Sequence, residues 1–136
     1  MFETYLTVIG RIISDVNQRT VSTGDKLCTF RIAANERRFD RDAQAWTDGD
    51  RLILEVACWR KLAENVAVSV FKGDQVVATG RVYLNEYEAN GEMRSSLRLD
   101  AKAIGPNLSM CTAMVQRPAR EGSGGDASAA AEPVAA

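Results

Sequence analysis

The fold is decided by residues 61–71, KLAENVAVSVF, which break the alternating pattern of the chain around them. Apolar side chains recur in this stretch at the spacing of one helix face, at Leu62, Ala63, Val66, Ala67, Val70 and Phe71. Lys72 is predicted to lie in the last turn and Gly73 to be the C-cap. The stretch therefore predicts a single helix.

On either side of this helix, glycines and Gly-Asp pairs separate five segments whose apolar residues alternate with the period of a β-strand. The predicted strands are residues 4–14, 26–39, 50–59, 76–89 and 93–105. Asn90-Gly91 predicts a tight hairpin turn between the last two strands. Residues 40–49, DRDAQAWTDG, predict a longer hairpin tip between the second and third strands.

This order of elements predicts an all-β domain, a five-stranded OB-fold β-barrel with one α-helix between strands 3 and 4. The OB-fold is a small Greek-key barrel whose face over strands 2 and 3 commonly binds oligonucleotides. The alternative is another small β-barrel that carries an incidental helix. Because a fold alone does not establish function, the side chains must decide it.

Length and composition predict one folded domain over residues 1–117 and a disordered tail over residues 118–136. The chain has 136 residues, of which 46% are hydrophobic, enough for a single modest core. From Glu121 the sequence EGSGGDASAAAEPVAA contains no aromatic residue and cannot offset the entropy cost of ordering. No stretch approaches the roughly 20 apolar residues of a membrane helix, and no basic region precedes the first apolar run. We expect a cytoplasmic protein without membrane contact.

Catalytic and metal-binding chemistry lacks its usual residues in this chain. There is no histidine, which is a frequent general base and the commonest metal ligand. Cys28, Cys58 and Cys111 lie far apart without CxxC spacing, which predicts three free thiols in a reducing compartment. The acidic residues within 40–50 lie in a hairpin, where we expect them to hold turns rather than metal ions. We therefore expect neither an enzyme nor a cofactor.

Alternation along the strands separates a core face from a solvent face. The predicted core sets are Cys28, Phe30, Ile32 and Ala34 in strand 2, Leu52, Leu54, Val56 and Cys58 in strand 3, Val76, Ala78, Gly80, Val82 and Leu84 in strand 4, and Leu97, Leu99, Ala101 and Ala103 in strand 5. Cys28 and Cys58 are thus expected to be buried thiols.

The predicted solvent faces mix aromatic rings with arginines. Their members are Phe39, Trp59, Tyr83 and Tyr87 together with Arg31, Arg37, Arg81 and Arg98, and Glu55 and Asp100 are acidic exceptions. Because rings stack on bases and cations neutralise phosphates, such a surface suits single-stranded nucleic acid. A protein interface is the alternative. Trp46, near the hairpin tip, could either stack on a base or brace its own hairpin.

Four motifs of the chain resemble the bacterial single-stranded DNA-binding protein family. They are VIGRI (8–12), TFRIAANERRF (29–39), WRKLAENVAVSVFKGDQVVATGR (59–81) and IGPNL (104–108). The resemblance runs through roughly residues 4–110. It implies an OB-fold protein, cytoplasmic and nucleoid-associated, that binds single-stranded DNA without catalysis and largely without sequence preference, in replication, repair, recombination or chromosome maintenance.

The resemblance also implies site residues. Family members stack bases on aromatic residues, and the matching positions here are Phe39, Ile53, Trp59 and Tyr87; Ile53 is a departure, because the family often has an aromatic residue there. Alternation adds Tyr83, and the hairpin adds Trp46. The candidate phosphate ligands are Arg31, Arg37, Arg41, Lys61, Lys72 and Arg98. An RNA-binding OB-fold module and a structural protein-interaction domain are the alternative functions.

Assembly is a further implication, because family members are usually homotetramers. Residues 5–13 are apolar on both strand faces, which a lone barrel does not require. Residues 109–116 are similar to an extra strand that some members, notably actinobacterial ones, use to clamp a neighbouring subunit. The ending AAAEPVAA lacks the acidic tip of replicative members. This departure from the family pattern implies a secondary paralogue that recruits replication and repair enzymes poorly through its tail, and the similarity of residues 109–116 favours an actinobacterial protein.

Overall fold

The computed structural model describes residues 3–118, apart from the side chains of residues 36–38 and 48. This part of the chain forms six strands and one helix, in the order β1 (Tyr5–Ile12), β2 (Asn17–Thr20), β3 (Lys26–Asp40), β4 (Ala45–Trp59), α1 (Arg60–Ser69), β5 (Gln75–Ala89) and β6 (Glu92–Pro106). The predicted disordered tail lies outside the described residues except at its first position.

The strands close into a barrel. The sheet order is β1-β5-β6-β4-β3-β2, and a second pairing of β1 with β3 joins the two ends. Neighbouring strands are antiparallel except β4 and β6, which pair in parallel over residues 55–57 of β4. This topology, with α1 between β4 and β5, confirms the OB-fold. The short strand β2 is an addition that the sequence pattern did not predict.

Helix α1 packs against β3 and β4 and buries Ala63 and Val66 beneath it. It ends at Ser69 with Val70 as its C-cap, so the predicted last turn at Lys72 and the predicted C-cap at Gly73 are wrong. Val70 is extended and buried, and the Phe71 N–H donates to Asp74 Oδ2 at 2.8 Å. Gly73, with φ of +99°, belongs to the following turn and donates its N–H to the Ile12 carbonyl. These contacts with β1 and Asp74 take the chain out of the helix before its apolar pattern ends.

The core lies between the barrel wall and α1, as the strand alternation predicts. Its members are Val8, Ile12, Cys28, Phe30, Ile32, Leu54, Val56, Cys58, Ala63, Val66, Val70, Val76, Ala78, Leu99 and Ala101. Two predicted core residues, Leu84 and Ala103, are instead exposed. Leu84 lies where β5 extends beyond the barrel.

Ala103 is exposed because of a β-bulge. Thr79 pairs with Ala103 and Gly80 with Ala101, which leaves Lys102 as an extra residue on β6. An extra residue reverses the alternation that follows it. Ile104 therefore packs against the core in the place predicted for Ala103.

Two long hairpins extend from the barrel, β3–β4 and β5–β6. The β5–β6 turn contains Asn90 and Gly91, both with positive φ, as predicted for a tight hairpin. The β3–β4 tip is shorter than predicted, because β4 begins at Ala45 rather than at residue 50. Asp40 Oδ1 accepts the N–H groups of Asp42 and Ala43 and closes this turn, the role expected for the hairpin acids. These hairpins carry most of the predicted site.

Within residues 3–118, no helix has both the length and the apolar composition required to cross a membrane. Residues 108–110 form a turn, and residues 111–118 have no regular secondary structure in the single chain. A clamp strand would pair with another subunit, so its formation over residues 109–116 stays a prediction.

Candidate nucleic-acid interface

The outward face of the barrel carries a row of side chains across four strands. Register pairs place Arg31 of β3 opposite Glu55 of β4, Glu55 opposite Arg98 of β6, and Arg98 opposite Tyr83 of β5. Because the parallel β4–β6 pairing joins the two hairpins here, residues distant in sequence become neighbours. The row alternates basic and acidic groups and ends in a ring.

Arg98 is engaged at the centre of this row. Its Nη2 donates to Glu55 Oε1, and the two side chains are 29% and 32% exposed. Burial lowers the pKa of Arg98, but hydrogen bonds with Glu55 and Tyr83 outweigh burial, and its pKa is raised overall. The guanidinium thus stays charged while Glu55 neutralises it. A phosphate at Arg98 would have to compete with that carboxylate.

Tyr83 is covered on one side by a second ion pair. Arg81 Nη2 donates to Asp100 Oδ2 at 2.8 Å, and the Arg81 guanidinium lies 4.3 Å from the centroid of the Tyr83 ring. This cation–π contact occupies one ring face. Of the predicted stacking residues, Tyr83 is therefore less open to a base than those on the hairpins.

Exposed rings are distributed along the two hairpins. Trp59 ends β4 next to α1 and is 40% exposed, and Tyr87, opposite Arg94 on the β5–β6 hairpin, is 44% exposed. Ile53 is half-buried between them on the β4 face. Trp59 and Ile53 are six residues apart on one strand, so about 20 Å separates them at roughly 3.3 Å per residue.

Phe39 and Trp46 form an edge-to-face pair at the far end of the β3–β4 hairpin. They are register partners, with ring centroids 5.5 Å apart and planes inclined by 64°. Between the pairs Asn35–Arg51 and Arg37–Asp48, β4 advances by one residue more than β3. This bulge places Trp46 on the face of Phe39, which alternation from Trp59 would not predict. Trp46 thus braces its hairpin while staying 62% exposed.

The predicted phosphate ligands are dispersed rather than clustered. Arg31 is exposed on the β3 face, and Arg41 is exposed in the β3–β4 turn. Lys61 and Lys72 are exposed at opposite ends of the α1 segment, with Lys61 Nζ 3.4 Å from Glu64. The backbone of Arg37 pairs with that of Asp48, and its side chain lies outside the described residues. Of these cations, Arg31 lies beside Ile53 and Tyr87.

A groove opens where the two hairpins separate. Register pairing between β4 and β6 covers residues 55–57 of β4, and the strands diverge beyond it. The groove has a volume of about 320 Å³ and is lined by Arg31, Ile53, Glu55, Tyr87, Ser96 and Leu97. Sequence reasoning noted Glu55 only as an acidic exception and missed Ser96 and Leu97, because the β4–β6 register has no local sequence signal.

The cysteines have no place in this interface. Cys28 and Cys58 are register partners inside the core, whereas Cys111 is exposed. A hydrogen bond with Cys28, together with burial, raises the pKa of Cys58, so that its thiol stays protonated at neutral pH. Among the described residues, no group of three acidic or cysteine side chains is placed to hold a metal ion.

Thiol reactivity should reflect this burial. We expect an aromatic disulfide reagent to modify one thiol per native chain rapidly, at Cys111, and all three thiols after denaturation, because burial protects Cys28 and Cys58. Absorbance of the released thiolate measures the count. Cys111→Ser is the control and should abolish the rapid phase; rapid modification of three thiols in the native protein would contradict the buried pair.

A barrel of this topology, with rings and arginines along one sheet face, defines an OB-fold protein of the oligonucleotide-binding class. The sequence matches the single-strand binding protein family over residues 4–107. The chain belongs to this family.

Relatives and solved structures agree with this assignment. Proteins named single-stranded DNA-binding protein from Corynebacterium glutamicum and Paenarthrobacter nicotinovorans are 42% and 41% identical, each over 88% of this chain. The chain spans 54% of the first relative's length and 71% of the second. The small single-stranded DNA-binding protein of Streptomyces coelicolor superposes with a TM-score of 0.74 at 34% identity, covering 81% of this chain and 99% of that one. The second such protein of Mycobacterium smegmatis, SSBb, gives a TM-score of 0.69 at 38% identity, covering 85% and 100%.

Proposed function

We propose that this chain binds single-stranded DNA without catalysis and largely without sequence preference. The observation that carries the proposal is the distribution of exposed rings, Trp59, Tyr87 and the Phe39–Trp46 pair, along one face of two long hairpins. Family membership and the names of the relatives support it. The RNA-binding and purely structural alternatives have no comparable support.

Stacking supplies the sequence-independent part of the binding. Every base has a π-face, so a ring accepts any of them, and each stacked base contributes about 1–3 kcal/mol. Trp46 and Trp59 lie thirteen positions apart on β4, which corresponds to about 43 Å at roughly 3.3 Å per residue. Rings at both ends of this strand can therefore hold separate nucleotides of one extended strand.

Phosphate neutralisation supplies the rest of the affinity. Arg31, Arg41, Lys61 and Lys72 are exposed and can meet the backbone of a strand that follows the rings. Arg37 belongs to the proposed set from its sequence position. We propose Arg98 as a weaker phosphate ligand than these residues, because the Glu55 carboxylate already neutralises its guanidinium group.

Titration with oligo-dT tests the function. Binding should quench tryptophan fluorescence, because Trp59 and Trp46 are exposed where bases are proposed to stack. Single-stranded RNA of matched sequence and duplex DNA are the comparisons, and both should bind more weakly. Stronger binding to RNA would support the RNA-binding alternative, and the absence of quenching and of any measured complex would overturn the proposal.

The salt dependence of binding should report individual phosphate contacts. Each neutralised phosphate of a single strand contributes about −0.7 to the slope of log affinity against log salt concentration. Arg31→Ala should therefore make the slope shallower by about 0.7. Lys102→Ala, which removes an exposed cation at the β6 bulge, is the matched control and should leave the slope unchanged. Equal slopes for the wild type, Arg31→Ala and Lys102→Ala would mean that Arg31 does not contact a phosphate.

The proposal includes assembly into a homotetramer. Tyr5 and Ile9 on the outer face of β1 are 57% and 54% exposed, and the neighbouring Thr7 and Thr79 hydroxyls hydrogen-bond to each other at 2.9 Å. Arg11 lies at the end of the same face, where its Nη1 donates to the Gly73 carbonyl at 2.9 Å. Burying the exposed apolar side chains of this face between subunits would be favourable. Sedimentation velocity should give four chains per particle; a monomer at micromolar concentration would contradict this.

We further propose that the protein is a secondary paralogue that works in DNA replication, repair or recombination in the cytoplasm. Its similarity over the full length of the second single-stranded DNA-binding protein of M. smegmatis supports this placement.

A further inference from the structure

The groove between the hairpins is open to solvent on one side and is large enough to admit one base. Its volume of about 320 Å³ is at the lower end of the range for small-molecule pockets, which suits a single base better than a larger ligand. The Tyr87 ring and the aliphatic side chain of Ile53 supply apolar surface, and the Ser96 hydroxyl and the Glu55 carboxylate supply polar groups. A flat base with hydrogen-bonding edges matches this mixture.

Glu55 is the unexpected member of this lining. A carboxylate on a DNA-binding face repels phosphates, and a role limited to neutralising Arg98 would not require it to line an open groove. Arg98 Nη2 donates to Oε1, and this bond holds the carboxylate in place. An ionised carboxylate offers about four acceptor positions on its two oxygens, so Glu55 retains capacity to accept from a ligand.

The charge of Glu55 also orients a nucleotide. A phosphate placed against the carboxylate would be repelled, whereas an N–H group of a base edge would be attracted. Arg31 is the register partner of Glu55 and is exposed at the groove, where it can hold a phosphate outside while the base points inward. The arrangement therefore favours a base, rather than the backbone, within the groove.

We propose that the groove is a base-reading subsite in which Glu55 accepts a hydrogen bond from the exocyclic amino group of cytosine or another amino-bearing base. Thymine presents a carbonyl oxygen at the position where cytosine has its amino group, so its edge would place two acceptors against each other. The subsite adds a modest preference for amino-bearing bases to otherwise nonspecific binding. This inference rests on the proposed function.

Glu55→Gln tests the subsite through a ratio of affinities. A glutamine amide can accept from cytosine or donate to thymine, so discrimination should disappear while the shape is kept. We expect the affinity ratio of oligo-dC to oligo-dT, measured at slightly alkaline pH, to be about threefold to tenfold higher for the wild type than for the variant, the equivalent of one hydrogen bond. Asp100→Asn is the matched control, because Asp100 is also an outward acid paired with an arginine but does not line the groove. It should leave the ratio unchanged.

A modified oligonucleotide gives the same test without altering the protein. Replacing cytosine with pyrimidin-2-one removes only the exocyclic amino group, and it should weaken wild-type binding by about threefold to tenfold. Equal ratios for the wild type and Glu55→Gln, or equal affinity for the two oligonucleotides, would overturn the subsite while oligo-dT binding stands. Failure of the wild type to bind any oligonucleotide would instead overturn the proposed function.

Discussion

Trp59→Ala is expected to weaken oligo-dT binding by about 5-fold to 150-fold, which corresponds to the roughly 1–3 kcal/mol of one stacked base. Trp59 ends β4 and is 40% exposed, so its ring is available to a base without rearrangement of the barrel. The variant loses a fluorescent reporter, and binding is therefore measured by the anisotropy of a labelled oligo-dT. Its free energy of unfolding should stay close to that of the wild type, because the ring is not part of the core cluster.

Leu108→Ala is the control for this experiment. Leu108 is a large apolar side chain, 66% exposed, that lies beyond the end of β6 and outside the proposed interface. Its removal should leave oligo-dT affinity unchanged. If Trp59→Ala binds oligo-dT as tightly as the Leu108 variant, stacking at Trp59 is wrong. If it unfolds the protein, the assignment of Trp59 to the solvent face is wrong.

Gly80→Ala is expected to destabilise the folded protein by about 1–3 kcal/mol, and by more if the strands cannot adjust. Gly80 lies at the β5–β6 bulge, where a Cβ would overlap the backbone carbonyl of Asp100 and lie 2.8 Å from the Ala101 Cα. Both obstacles are backbone atoms, so accommodation requires β6 to move away from β5. Chemical denaturation at a fixed protein concentration measures the change in the free energy of unfolding.

Gly105→Ala provides the matched glycine control in the same pair of strands. A Cβ on Gly105 meets nothing within 4 Å among the described residues, and its φ is not in the left-handed region. The substitution should be neutral or slightly stabilising, because alanine restricts the unfolded chain. Equal destabilisation by the two substitutions would mean that the close approach at Gly80 is not the cause.

Local sequence patterns predicted most of the fold, because helical spacing, strand alternation and turn residues depend on interactions between residues close together in the chain. The helical spacing of Leu62, Ala63 and Val66 placed α1, and Asn90-Gly91 placed a hairpin turn whose positive φ values favour those residues. Errors arose where a distant contact changed the local pattern. The end of α1 depends on Asp74 and β1, and the inward turn of Ile104 depends on a bulge opposite Gly80.

The sequence likewise predicted some features of the candidate site and missed those that depend on tertiary contacts. Alternation identified Trp59, Tyr83 and Tyr87 as outward rings, and the structure agrees for each. It could not place Trp46, because the β4 bulge reverses the alternation between Trp59 and Trp46. The sequence also could not predict the ion pair between Arg98 and Glu55, because these residues lie 43 positions apart in the chain.

The sequence by itself determined the barrel with its inserted helix, the core faces of the strands and an outward surface of rings and cations. Periodicity and turn chemistry act between residues close together in the chain, so a single sequence displays them. Only the tertiary structure decided which charges neutralise one another, which ring faces are covered and where a groove opens. Those outcomes depend on strand register and bulges, which pair residues far apart in the chain.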